Sequence, residues 1–253
     1  MLAIDIGNTK TALGLFDHQR LVHSWKFRTE KKRLADEFFA NVDQYLSKAQ
    51  TSIADQDALC ISSVVPELTG EIRNAPVQTP IHFVTHLSPI DFSITLPNPQ
   101  TLGPDLISAA QAGLDLYSPP LILVDAGTAT TITVVNQKRE FIGGAICPGL
   151  GISSQALFNA ASALSAVTLS IPPAVIGNQT ETAVQSGLCR GHAAMIEGLV
   201  NQCKQELDDP SATVLITGGA MNTLRSILPS DYRYHPDLAL YGISKIYQHL
   251  MEG

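Results

Sequence analysis

Charge is scarce in this chain of 253 residues: Asp, Glu, Lys and Arg make up 15%, and the formal net charge is −7. A general nucleic-acid or anionic-membrane surface needs a basic face, and this balance excludes one. It leaves open an anionic ligand held locally by backbone N–H groups. No run of about 18 apolar residues occurs, so no membrane-spanning helix is expected. The first strand begins within two residues of Met1, leaving no room for a signal peptide. Cysteine is sparse too. Cys60, Cys147, Cys189 and Cys203 are widely spaced, with no CxxC pair and no metal-ligand rhythm. They read as buried free thiols in a reducing compartment, so a cytoplasmic protein is expected. The chain also has no GxxxxGK[ST] loop and no GxGxxG after a strand, so neither Walker-type nor dinucleotide binding is indicated. What it does have is an apolar content of 45%, enough for one large or two modest cores.

The chain is organised around its opening, LAIDIGNTKTALGLFD at 2–17, where an apolar run delivers Asp5 to a glycine turn and a second run leaves. ILVDAGTATTITVV at 122–135 repeats the arrangement with Asp125, 120 residues further on and close to half the chain length. Strands are expected at 2–6, 11–16 and 21–27. A helix follows over 33–48, where Leu34, Phe38, Val42, Tyr45 and Leu46 have helical spacing. A short buried strand at 58–62 precedes Pro66, which suits a first helical turn. Another strand covers 81–85, and a helix covers 105–116. Between them, 86–104 carries four prolines and no clear periodicity, the mark of a functional or disordered loop. The second half repeats the plan, with strands at 121–125, 130–135 and 140–146 and helices at 150–163 and 180–207. A strand at 214–217 and a last helix at 238–251 complete it.

Each half is a three-strand meander followed by alternating helices and strands. This is an α/β pattern of ribonuclease-H-like type, and its duplication is the architecture of the actin, sugar-kinase and Hsp70 class. Two similar halves are expected, 1–117 and 118–253. The analogy is at the level of fold and names no substrate.

The glycine turns are the first candidates for chemistry. A glycine turn between strands exposes successive N–H groups, which form an anion-binding concavity. In the first turn Asn8 and Thr9 add donors, Lys10 adds a point charge suited to phosphate, and Asp5 offers a carboxylate to Mg²⁺. One such turn alone is commonly a plain hairpin. The second, with Asp125, Gly127, Thr128, Thr130 and Thr131, makes a pair, and a pair suggests two phosphate grips. Gly218-Gly219 after an apolar strand permits close approach of a flat ring, or is simply a tight strand-to-helix turn. Pro148-Gly149 shapes a turn into the next helix. Asp105, near the start of its helix, is either an N-cap or the carboxylate that takes a proton from an acceptor hydroxyl. The remaining candidates are weak. His82 and His86 lack a carboxylate or cysteine to complete a metal set. Ser62-Ser63 lacks a GxSxG elbow and a paired histidine. The cations Lys26, Arg28, Lys31, Lys32 and Arg33, interleaved with acids, read as a solvated helix entrance.

These pieces together resemble the type III pantothenate kinases. The likeness runs through AIDIGNTKTALGLFD at 3–17, ISSVVP at 61–66, NPQTLGPD at 98–105 and VDAGTATTITVV at 124–135. It continues through GGAICPG at 143–149, IGNQTETAVQSG at 176–187, LITGGA at 215–220 and HPDLALYGI at 235–243. The resemblance implies transfer of the γ-phosphate of ATP to pantothenate, the step that commits it toward coenzyme A. It implies that Asp5, Ile6, Gly7, Asn8, Thr9, Lys10, Thr11 and Ala12 grip the ATP phosphates and Mg²⁺. Gly127 and Thr128 would also bind ATP, and Gly218 and Gly219 would lie near the adenosine. Asp105 would be the base. Asp125 would hold a monovalent cation, K⁺ or NH₄⁺, and Gly103, Pro104, Leu106 and Thr180 would touch pantothenate. A cytoplasmic homodimer with no nucleic-acid or membrane partner is also implied.

Two positions depart from the family pattern. Gly-x-Asp-Arg here reads Gly103-Pro104-Asp105-Leu106, which removes a cation and five N–H donors from the substrate side. Losing such a charge-assisted contact costs about 1.5–3 kcal/mol, roughly ten- to hundredfold in binding. Leu164-Ser165 stands where Leu-Pro is common, and concerns only a loop. Two alternatives therefore stay beside the kinase reading: a kinase with an altered acceptor, and a non-catalytic ligand-sensing regulator. The survival of Asp5, Asp105 and Asp125 argues against the second.

Overall fold

Alternation in the opening residues dictates the first layer. Leu2, Ile4 and Ile6 put three fully buried side chains on one face of a strand, while Ala3 and Asp5 face the other way. The structure, a computed structural model, describes residues 1–161 and 164–252. Its first elements are β1 (Leu2–Ile6), β2 (Lys10–Asp17), β3 (Arg20–Arg28), α1 (Ala35–Leu46), β4 (Leu59–Ser63) and α2 (Pro66–Arg73). Then come β5 (Ile81–Phe83), β6 (Ser93–Ile94), α3 (Pro104–Leu116), β7 (Leu121–Ala126), β8 (Ala129–Val135) and β9 (Glu140–Pro148). The remaining elements are α4 (Leu150–Ala160), α5 (Thr180–Gln185), α6 (Gly191–Glu206), β10 (Thr213–Thr217), α7 (Met221–Leu224), β11 (Arg233–Tyr234) and α8 (Leu238–Glu252).

The chain divides into two units. Met1–Leu116 together with the C-terminal residues from Asp237 form one, and Tyr117–Pro236 form the other. In the first, the strands run β3-β2-β1-β4-β5. β1, β2 and β3 form an antiparallel meander, and β4 and β5 add in parallel on the far side of β1. The second unit repeats this with β9-β8-β7-β10-β11, again a meander followed by two parallel strands. The duplicated ribonuclease-H-like plan expected from element order is therefore present.

Helix α1 forms because Ala35, Phe38, Phe39, Val42 and Leu46 fall on one stripe, all buried. Pro66 is the first residue of α2, where its missing N–H costs nothing, and Leu68 and Ile72 face inward. Both helices pack on Leu2, Ile4, Ile6, Leu13, Leu59 and Ile61. In the second unit Ile122, Val124, Ile132, Val214 and Ile216 meet Ala193, Ile196 and Val200 of α6 and Met221 and Leu224 of α7. Burying each large side chain contributes about 1.5–3 kcal/mol.

Several elements differ from expectation. The helix expected over 150–163 is observed as Leu150–Ala160, and positions 162 and 163 lie outside the described residues. The helix expected over 180–207 is α5 and α6 joined through a π-helical turn, Ser186–Arg190. The proline-bearing loop is not structureless. It is tied to α3 by a reciprocal pair: Asp91 N–H donates to Gln111 Oε1 at 2.9 Å, and Gln111 Nε2 donates to Asp91 Oδ2 at 2.9 Å.

The largest correction concerns α8, which was expected with 118–253 and instead packs on the first unit. Gly242 of α8 lies so close to the Ser108 backbone of α3 that a Cβ would collide with its carbonyl oxygen. Ion pairs Lys26–Asp237 at 2.9 Å and Lys245–Asp115 at 3.1 Å flank this contact. Chain order does not reveal such a return, because helix–helix approach depends on tertiary fit.

That contact is testable. Gly242→Ala should lower stability by about 2–3 kcal/mol, or roughly 5–10 °C in Tm. Gly198→Ala, inside α6 where nothing lies within 4 Å of the added carbon, should raise stability by about 0.5–1 kcal/mol. Thermal unfolding of both variants beside wild type gives the answer; equal shifts would contradict the close α3–α8 approach.

Candidate functional site

The first glycine turn closes when the Gly7 N–H donates to the Lys10 carbonyl at 3.0 Å. Asn8, Thr9 and Lys10 are left exposed. Asp5 is opposite Ala12 across the ladder and beside Ser62 of β4, whose hydroxyl donates to Asp5 Oδ1 at 3.0 Å. Ser62, unpromising as a nucleophile, thus holds a carboxylate; the cue was its place at a second strand end parallel to β1. Two of the expected phosphate residues point elsewhere. Ile6 is a core side chain with no exposure, and Thr11 is buried with its hydroxyl 2.9 Å from that of Thr29. Only their backbone is available to a ligand.

Asp105 is the second residue of α3, not its cap. The N–H groups of Leu106 and Ile107 both donate to the Gly103 carbonyl at 3.1 Å, which gives Gly103 the capping place. The Asp105 carboxylate folds back onto its own first turn, where Oδ1 accepts the Leu106 N–H at 2.9 Å. A Cβ on Gly103 would strike that same oxygen, and Val64 borders it from β4's end. Burial pushes the Asp105 pKa above the ordinary carboxylate value, opposed by backbone N–H donors. Leu106 is half-buried beside it.

In the second unit the Gly127 N–H donates to the Ala129 carbonyl at 2.9 Å, and the Gly149 N–H to the Thr128 carbonyl at 3.2 Å. A Cβ on Gly149 would collide with the carbonyls of Gly127 and Thr128, so this glycine allows β9's end to close over the turn. Asp125 lies opposite Thr131 on β8 and beside Thr217 on β10. Gly218 adopts φ +97°, a conformation that favours glycine, and a Cβ there would meet Asp125 Oδ1 and the Ala126 backbone. Thr131 Oγ1 is buried with no hydrogen-bond partner. An oxygen-only set of Asp125 carboxylate and an unsatisfied threonine hydroxyl suits a hard cation. On the opposite face Thr130 pairs with His192 Nε2 at 2.8 Å, and burial lowers the His192 pKa.

Thr180 opens α5 and borders a cavity of about 600 Å³ lined by Leu157, Leu164, Ala183, Val184, Gly187 and Leu188. Among the described residues no three His, Cys, Asp or Glu side chains gather as a metal cage, and no helix is long and apolar enough to cross a membrane. A divalent ion carried in by phosphate, with Asp5 as its protein ligand, fits this arrangement. All four cysteines are free, and burial pushes the Cys60 thiol up to about 12.

Two similar sheets, each with a glycine turn and a carboxylate at a strand end, define a protein of the actin-like, duplicated ribonuclease-H-like fold class. Solved structures with the same fold include a Campylobacter jejuni protein described as a Baf family transcriptional activator, with TM-score 0.65, 20% identity and 100% of each chain covered. A ROK family glucokinase from Streptomyces griseus, in complex with glucose and AMPPNP, has TM-score 0.55 at 14% identity, covering 97% of this chain and 98% of that one. At such identities the likeness is one of fold. The type III pantothenate kinase family model matches residues 1–202. Type III pantothenate kinases from Roseiflexus sp. (strain RS-1) and Geobacillus sp. (strain WCH70) are 37% and 33% identical over 98% of this chain and 98% and 97% of theirs. The chain belongs to the type III pantothenate kinase family.

The buried carboxylate yields a stability prediction. The folded state keeps the Asp105 proton in a pH window just above the ordinary carboxylate range, where the unfolded chain has released it. Stability from this residue is therefore lost as pH rises through that window. Asp105→Asn should raise Tm near neutral pH, with the gain shrinking toward about pH 4. Differential scanning calorimetry of both proteins across pH checks this; a gain independent of pH would contradict the burial argument.

Proposed function

We propose that the chain transfers the γ-phosphoryl group of ATP to the primary hydroxyl of pantothenate, giving 4′-phosphopantothenate at the first step of coenzyme A biosynthesis, with Asp105 as the base. The observation that carries this reading is the seat of Asp105. Its carboxylate is oriented by the Leu106 N–H on Oδ1, and burial raises its pKa above the ordinary carboxylate value, which strengthens it as a base. The hydroxyl oxygen bonds to the γ-phosphorus, the bond to the β–γ bridging oxygen breaks, ADP leaves, and the proton passes to Asp105. Backbone N–H groups of the Gly7 and Gly127 turns hold phosphate oxygens, and Gly218-Gly219 serves the adenosine end. Asp5 would hold Mg²⁺ and Asp125 with Thr131 a monovalent cation, K⁺ or NH₄⁺; these ions neutralise phosphate charge. Gly103, Pro104, Leu106 and Thr180 serve the acceptor.

A homodimer belongs to the same reading. Val175 and Ile176, 67% and 89% exposed just before α5, support it as apolar surface suited to a second copy. Sedimentation should show a dimer that Ile176→Glu weakens; a monomeric wild type would contradict it.

ADP release in K⁺ or NH₄⁺ buffer, with and without pantothenate, tests the activity. Turnover should depend on pantothenate and fall by about 10²–10⁴ in Asp105→Asn. Leu106→Arg should tighten apparent pantothenate affinity by roughly tenfold or more. Absence of pantothenate-dependent turnover in wild type would overturn the reading. Preference for another hydroxyl compound would shift it to an altered acceptor set by Leu106.

A further inference from the structure

The five cations from the end of β3 to the residues before α1 look alike in sequence, but the structure divides them. Lys26 pairs with Asp237 at 2.9 Å, and Arg33 pairs with Glu30 at 2.7 Å. Arg28 and Lys31 are instead brought to the first glycine turn. Arg28 stands directly opposite Lys10 in the β2–β3 ladder, and both side chains are exposed. Directly opposed residues project from the same face of a sheet, and like charges placed so destabilise it. Asp5 projects from that same face, since its ladder partner Ala12 is two residues from Lys10. An anion between Lys10 and Arg28 converts the repulsion into two attractions.

The segment after β3 is also fastened to the turn itself. The Thr29 N–H donates to the Thr9 carbonyl at 3.0 Å, and beneath it the buried Thr11 and Thr29 hydroxyls pair at 2.9 Å. Lys31 Nζ then donates to Asn8 Oδ1 at 2.8 Å. An ammonium can only donate, so the Asn8 atom it meets is the amide oxygen, and both Nδ2 hydrogens remain for another acceptor. Lys31 therefore fixes which end of the Asn8 amide is offered to a ligand and adds a positive charge beside it.

We infer that Arg28 and Lys31 are polyphosphate-binding residues that extend the Gly7–Lys10 turn. The ligand class is the terminal phosphates of a nucleoside triphosphate. Arg28 and Lys10 flank phosphate oxygens from one face, while Lys31 presents the Asn8 amide donors and its own charge. The inference rests on the reading of that turn as a phosphate grip.

Isothermal titration of ATP, tripolyphosphate and adenosine into wild type, Arg28→Gln, Lys31→Met and the exposed charge control Lys138→Met tests it. Binding of ATP and of tripolyphosphate should each weaken by roughly tenfold in Arg28→Gln and in Lys31→Met. Adenosine binding should stay at the wild-type value, and Lys138→Met should match wild type for all three. Wild-type affinity for ATP and tripolyphosphate in both variants would overturn the inference while leaving the turn's role intact. Equal weakening of adenosine, whose end of the ligand is assigned to Gly218-Gly219, would overturn it too, by assigning the residues to the integrity of the fold as a whole. A wild type that binds neither ATP nor tripolyphosphate would remove the phosphate grip itself, and the inference with it.

Discussion

Asp105 and Asp125 each lie against a glycine whose missing side chain leaves room for one carboxylate oxygen. Gly103 backs Asp105 and Gly218 backs Asp125. Any larger residue would displace the acid, so chemistry at these points depends on backbone brought unusually close to a charge. That closeness has a cost. It strips water from Asp105 and raises its pKa, opposed by backbone N–H donors. A carboxylate free in solvent would be a weaker base and a looser one.

Pleating decides what surrounds these acids. On β1, Leu2, Ile4 and Ile6 enter the core, which leaves Asp5 on the other face beside Ser62 of β4. The same parity on β2 and β3 puts Lys10 and Arg28 together and buries Thr11 against Thr29. In the second unit Asp125, Thr131 and Thr217 share a face while Thr130 turns away to His192. A period of two therefore separates residues that hold the fold from residues that can meet a ligand. Within the run Asp5–Ala12 it sends Ile6 and Thr11 inward and Lys10 outward, while Asn8 and Thr9 are exposed because they form the turn between the two strands.

Much of this was legible in the chain. Period-two apolar runs around Asp-x-Gly turns marked both hairpins, and their repetition marked the duplicated fold. Pro66 marked the start of α2, and the buried stripe of α1 followed from its 3.6-residue spacing. These are local signals, set by sterics and by the segregation of apolar residues, and they survive in any window that contains them.

What the sequence by itself determined is the set of hairpins, helices and candidate acids, because each follows from its immediate neighbours. The tertiary structure alone decided which of them meet. It returned α8 to the first unit through the Gly242–Ser108 contact, and made Gly103 the cap of α3 in place of Asp105. It also drew Arg28 and Lys31 out of an apparently uniform basic stretch to the first turn. Such pairings arise from ladder register and helix packing between segments remote in sequence. No local pattern carries that information; only the fit of one surface against another does.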